Sequence, residues 1–92
     1  MHTYLACFDI TDDKIRTKVG HRLGAYGNRV QYSVFEISTR NNKEFADLVQ
    51  ELNILLEDGD SLRFYHLCQH CIKKSRDQEG NPIAIEPAGL LV

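Results

Sequence analysis

Apolar residues follow two periods along this chain, and each change of period marks a new element. Leu5, Ala6, Cys7, Phe8 and Ile10 form a short apolar run broken only by Asp9. Such a run predicts a buried strand of the kind that helices flank in α/β sheets. From Thr11 the spacing becomes helical. Thr11 is the candidate N-cap, and Asp12 and Asp13 fall in the first turn, at the positive end of the helix dipole. Ile15, Val19, Leu23 and Tyr26 recur on one face, and Gly27-Asn28 ends the helix. RVQYSVFEI then sets Val30, Tyr32 and Val34 against Gln31, Ser33 and Phe35, a period of two rich in β-branched and aromatic residues. It predicts one strand, or two short ones with the break near Tyr32-Ser33.

Asn41 followed three residues later by Glu44 has the form of a capping box. It opens a second amphipathic helix, with Phe45, Leu48, Val49, Leu52, Leu55 and Leu56 as its stripe and Asp58-Gly59 as its stop. SLRFYHLC predicts a third strand region, and KKSRDQEGN a polar, turn-rich connection. Pro82 and Pro87 bracket a short strand, Ile83-Ala84-Ile85, and Gly89 to Val92 make an apolar end. The order strand, helix, strand, helix, strand, strand predicts an α+β chain, a ferredoxin-like βαββαβ sandwich with helices on one face of the sheet and an additional short C-terminal strand. That fold needs two strands between its helices, which is why the Tyr32-Ser33 break matters.

Ninety-two residues make one domain, residues 1–92, small enough that association with a second copy would help it bury apolar surface. No stretch approaches the roughly 18 apolar residues of a membrane span, and no basic leader precedes the first apolar run, so a soluble cytoplasmic protein is expected. Three cysteines argue against a disulfide framework. A formal charge of −2 gives no global attraction to nucleic acid, so any such contact needs a local basic face.

One such face is on the first helix. Lys14, Lys18 and Arg22 stand at i, i+4 and i+8, with His21 beside them and Arg16 on the other flank. They form either a ridge that follows a phosphate backbone or a solvated face with its own acidic partners. Lys73, Lys74 and Arg76 pose the same choice in a loop. Cys68 and Cys71, with His66 and His70 near them, resemble half a zinc site without the second ligand pair. His66 or His70 completes a local site, two chains share one, or the two thiols hold no metal; the last is the expectation. A thioredoxin-like role is disfavoured because this CxxC ends a strand region and does not open a helix after the first strand. Asp9 is the remaining puzzle. A carboxylate at a strand end must be solvated, paired or metal-bound, and it serves either as a cap for the next helix or as part of a site.

Together YLACFDITDDKIRTKV, GNRVQYSVFEI and LCQHC resemble the CRISPR-associated Cas-two family, the small protein of the spacer-acquisition machinery. The resemblance implies a ferredoxin-like homodimer joined through the sheet faces, with Leu90-Leu91-Val92 adding to the partner's sheet. It implies metal-dependent endonuclease activity on single-stranded RNA or duplex DNA, and a partnership with the CRISPR integrase. Asp9 matches the family's metal-site and catalytic aspartate. Arg16 and Arg29 match functional basic positions, Lys18 keeps the charge where some relatives have arginine, and Phe35 matches the aromatic of the VFE segment. Phe8 is a departure, because many relatives carry tyrosine there.

One carboxylate per chain is few for Mg²⁺ or Mn²⁺, so the expected site pairs two Asp9 residues across a two-fold axis. Lys14, Arg16, Lys18, Arg22 and Arg29 would hold the nucleic-acid backbone. The alternatives are a DNA-binding adaptor of the integrase without chemistry of its own, and a stand-alone ribonuclease toxin of the same fold.

Overall fold

The computed structural model describes residues 1–82. The elements run β1 (His2–Asp9), α1 (Asp13–Gly24), β2 (Gly27–Gln31), β3 (Val34–Thr39), α2 (Asn42–Leu55), β4 (Ser61–Leu67) and α3 (Gln69–Lys74). The four strands form one sheet in the order β2-β3-β1-β4, with every neighbouring pair antiparallel. This is the expected ferredoxin-like βαββαβ arrangement. The expected strand at residues 83–85 and the apolar end at residues 89–92 lie outside the described residues.

The first apolar run is buried on one face only. Tyr4, Ala6, Phe8 and Ile10 enter the core with Val19 and Leu23 of α1, Phe35 and Ile37 of β3, and Leu48 and Leu52 of α2. Leu5 and Cys7, on the other face, are half-buried, and Asp9 is exposed. Period-two geometry therefore overrides the appearance of a continuous apolar strand, because both helices cover the same face.

Several boundaries differ from the expectation. The cap of α1 is Asp12, not Thr11: Asp12 has extended backbone, and its carboxylate accepts the Ile15 N–H at 2.9 Å. The helix ends at Gly24, and Gly27-Asn28 are the first residues of β2, where Gly27 is needed for close approach to β3. Tyr26 lies beyond the helix, and its carbonyl accepts the Ser38 N–H at 3.0 Å. The hairpin turn does fall at Tyr32-Ser33, without Gly or Pro. Phe8 of β1 holds it by donating its N–H to the Ser33 carbonyl at 3.0 Å. A register shift between Arg29 and Gln31 breaks the alternation expected through Val30 and Tyr32, so both are exposed.

In α2, Asn41 caps as expected by accepting the Glu44 N–H at 2.9 Å, but the Glu44 carboxylate reaches back to the Arg40 N–H at 2.8 Å, one residue before the cap. That helix stops at Leu55, and Asp58-Gly59 belong to the following turn, where Gly59 takes a left-handed φ of 90°. α3 replaces part of the expected polar connection. Cys68 is its N-cap and Ile72 its buried anchor, and Lys73 and Lys74 are helical rather than in a loop. Among the described residues no helix is long and apolar enough to cross a membrane.

Candidate metal carboxylate and nucleic-acid interface

Asp9 is the last residue of β1 and pairs in register with Ser61, the first residue of β4. Alternation puts it on the sheet face opposite the helices, where Leu5, Cys7, Val34, Glu36, Arg63 and Tyr65 also lie. Its carboxylate makes no hydrogen bond or ion pair among the described residues, and Asp12 does the capping that would otherwise explain it. The helix-cap alternative for Asp9 is thereby removed. Among the described residues no three His, Cys, Asp or Glu side chains cluster as metal ligands, so one chain offers a lone carboxylate. That donor fits a hard divalent cation that keeps most of its waters and takes one or two carboxylates, with the second oxygen donor drawn from a partner or a phosphate.

The residues grouped with Asp9 in sequence divide between the two faces. Phe8 and Phe35 are buried on the helix side, with ring centroids 6.1 Å apart. A tyrosine hydroxyl at Phe8 would enter this core and not the face that carries Asp9. Arg29 lies over Phe35 and Tyr32: its guanidinium carbon is 5.2 Å from the Phe35 centroid and 5.8 Å from that of Tyr32. Gly20 leaves the room, since a Cβ built there would sit 3.2 Å from Arg29 Nη2.

Arg16 comes to the same end of the sheet by a different route. It donates to the Ile10 carbonyl at 2.8 Å, pairs with Asp13, and places its guanidinium carbon 5.8 Å from the Tyr32 centroid. Its first task is to brace the turn between β1 and α1. Arg22 leaves the expected ridge altogether. It forks onto Glu51 of α2, with Nη2 3.0 Å from Oε1 and Nε bonded to Oε2, and it also lies over Tyr26. The bond to Glu51 raises its pKa further. What remains of the ridge is Lys14 and Lys18, both exposed and both without an ion-pair partner among the described residues.

Sequence reasoning missed Tyr32. It stands 68% exposed at the hairpin tip, between Arg16 and Arg29 and beside the end of β1. The signal was present in the expected strand break, because a large aromatic at a turn has no sheet face to occupy. Arg63 was also missed. It pairs in register with Cys7 on the face that carries Asp9 and reaches toward the Tyr65 hydroxyl at 3.5 Å.

Known proteins resemble this chain over most of its length. The family model of CRISPR associated protein Cas2 matches residues 1–75. A CRISPR-associated endoribonuclease Cas2 of Synechocystis is 40% identical, covering 100% of this chain and 99% of its own. Another, from Chloroflexus aurantiacus, is 48% identical over 67% of both chains. Among solved structures, a chain of a partial Cas6-RT-Cas1--Cas2 complex superposes with a TM-score of 0.81 at 39% identity, covering 100% of each chain. Streptococcus pyogenes Cas2 gives a TM-score of 0.72 at 30% identity, over 82% of this chain and 96% of its own. With the family model matching residues 1–75 and a relative of 40% identity covering the whole chain, the chain belongs to the Cas2 family of CRISPR-associated proteins.

Proposed function

We propose that this protein is a cytoplasmic nuclease of spacer acquisition. It works as a homodimer beside the CRISPR integrase, holds a nucleic-acid backbone, and cleaves phosphodiester bonds in single-stranded RNA or duplex DNA with Mg²⁺ or Mn²⁺ at Asp9. The observation that carries the reading is the exposed Asp9 carboxylate, which has no structural partner among the described residues and no capping duty. Relatives named endoribonucleases support the chemistry, and the neighbour from a complex containing Cas1 supports the integrase partnership. The sheet face opposite the helices supports a dimer, since it presents Leu5, Cys7 and Val34 half-buried and Tyr65 exposed.

In this reading two Asp9 carboxylates, one from each chain, would hold the cation. When bound, it supplies Lewis-acid polarisation of the scissile phosphate and an acidified water. The chain's own residues do the rest. Lys14 and Lys18 place the phosphate backbone without reading sequence, and Arg29 adds positive charge at the hairpin. Arg16 fixes the turn that follows Asp9 and so the direction of the carboxylate. The test is cleavage of single-stranded RNA and of duplex DNA by wild type and Asp9→Ala, in Mg²⁺, in Mn²⁺ and in chelator. Cleavage that needs metal and disappears in Asp9→Ala supports the reading. Cleavage that survives either treatment rejects it.

A non-catalytic adaptor role draws on a separate observation, the two unpaired lysines of α1. Their replacement by alanine is expected to weaken duplex binding uniformly across sequences. Each lost phosphate contact should lower the slope of log affinity against log salt by about 0.9. The lysines are a cleaner test than Arg16 or Arg22, whose loss would also break the Ile10 and Glu51 contacts. An unchanged slope in Lys14→Ala/Lys18→Ala would make the ridge a solvated face only.

A further inference from the structure

The cysteine pair after β4 has no part in the reading above, and its geometry is unusual for two idle thiols. Cys68 has extended backbone (φ −74°, ψ 161°) and leads directly into α3. The CxxC thus opens a helix, a short one that follows β4 and not the first strand. Cys68 Sγ accepts the Cys71 N–H at 3.3 Å, and the two sulfurs are 3.2 Å apart. Both side chains are exposed, whereas Cys7 is half-buried in β1.

Two chemistries are open to a cysteine pair, and the number of further ligands separates them. Two thiolates on one tetrahedral zinc stand roughly 3.8 Å apart, as follows from a Zn–S length of about 2.3 Å. These two are closer, and no third ligand joins them among the described residues. A disulfide needs about 2.05 Å between sulfurs, and the pair already stands 3.2 Å apart. The pair is also unsymmetrical. Hydrogen bonds from the Cys71 thiol and the Cys71 N–H lower the Cys68 pKa, while the same sulfur–sulfur contact raises that of Cys71. Cys68 is the attacking sulfur and Cys71 the resolving one.

We propose that Cys68 and Cys71 are a redox-active dithiol that closes reversibly to an internal disulfide by exchange with a small-molecule disulfide of the glutathione type. The Cys68 thiolate attacks one sulfur of the oxidised small molecule, forms a mixed disulfide and releases one small-molecule thiolate. Cys71 then loses its proton, attacks Cys68 Sγ and releases the second. Two protein thiols are oxidised, one small-molecule disulfide is reduced to two thiols, and no other reactant is needed. Closure ties the first turn of α3 to the end of β4, about the buried Ile72. The inference is independent of nuclease activity.

The test equilibrates the reduced full chain with mixtures of reduced and oxidised glutathione, blocks free thiols by alkylation, and reads the intact mass. The expected product has lost two hydrogens and keeps one alkylatable thiol, Cys7, and the Cys7→Ser variant behaves the same way at Cys68 and Cys71. Cys71→Ser is expected to stop at one glutathione on Cys68, and Cys68→Ser to react at least tenfold more slowly. Hydrogen exchange of the α3 amides is expected to slow in the oxidised form. Glutathione on both cysteines without an internal disulfide, equal rates for the two single variants, or stoichiometric zinc in freshly purified protein that Cys68→Ser abolishes would each overturn the proposal.

Discussion

A dimer with Asp9→Ala in one chain and wild type in the other is expected to cleave no better than the dimer that carries the change twice. The reason lies in what a single chain offers. Asp9 is exposed at the end of β1, and no cluster of further ligands surrounds it among the described residues. A cation held by two carboxylates across a two-fold axis loses its placement when either is removed, because the remaining one competes with water for a hard ion that gives up water reluctantly. Misplacing the reacting groups by about 1 Å costs roughly 10²-fold in rate, so activity should fall by that factor or more in the mixed dimer. Two independent sites would leave half the activity, and that result would reject the shared carboxylate pair.

The fold is expected to survive the change. Asp9 makes no side-chain hydrogen bond among the described residues, and a surface substitution of this kind usually alters stability by less than about 0.5 kcal/mol. Unchanged melting and unchanged duplex binding by the variant would separate the loss of chemistry from loss of structure. If binding falls together with cleavage, Asp9 acts in holding the backbone instead.

The sequence displayed its elements where burial is one-sided and the elements are long. Val19 and Leu23 in α1 and Leu48 and Leu52 in α2 stand at helical spacing because each helix rests one stripe on the same sheet face. The hairpin turn could be placed at Tyr32-Ser33 only because the topology required a break; local chemistry gives no signal, and the turn is held from outside by the Phe8 N–H. α3 was invisible for the opposite reason. Six residues with one buried side chain, Ile72, carry no periodicity to read.

At the candidate site, Asp9 was legible as a charge interrupting an apolar strand. The behaviour of the arginines was not. Arg22 finds Glu51 twenty-nine positions along the chain, and Arg16 bonds to a main-chain carbonyl that no side-chain pattern reports. The Glu51 partner exists only after the helices have docked, and the Ile10 carbonyl only once the chain has turned from β1 into α1. For Lys14 and Lys18 helical spacing alone was a sufficient guide to their exposure.

The largest expected loss of stability comes from a residue without a side chain, Gly27. A Cβ built there would lie 1.8 Å from the Glu36 carbonyl oxygen and 2.7 Å from Ile37 Cα, both main-chain atoms of the paired strand β3. No rotamer change can relieve contacts with backbone, so Gly27→Ala must push β2 away from β3. The shift would strain the Gly27–Ile37 and Asn28–Glu36 pairings and the bond from the Ser38 N–H to the Tyr26 carbonyl. Overpacking of this kind costs about 3 kcal/mol or more. In a domain this small that lowers the melting temperature by roughly 12–24 °C. Arg29 is two residues further along β2, so duplex binding should weaken in the same variant even below its melting point. Gly59→Ala supplies the contrast. A Cβ there meets nothing within 4 Å, but φ is 90°, so the cost is left-handed backbone strain of roughly 1–2 kcal/mol with no change in the sheet. Thermal melts of the two variants side by side separate close approach from backbone strain. If Gly27→Ala melts as high as Gly59→Ala or higher, β2 does not depend on that contact, and the anchoring of Arg29 has to come from the Phe35 ring and Gly20 alone.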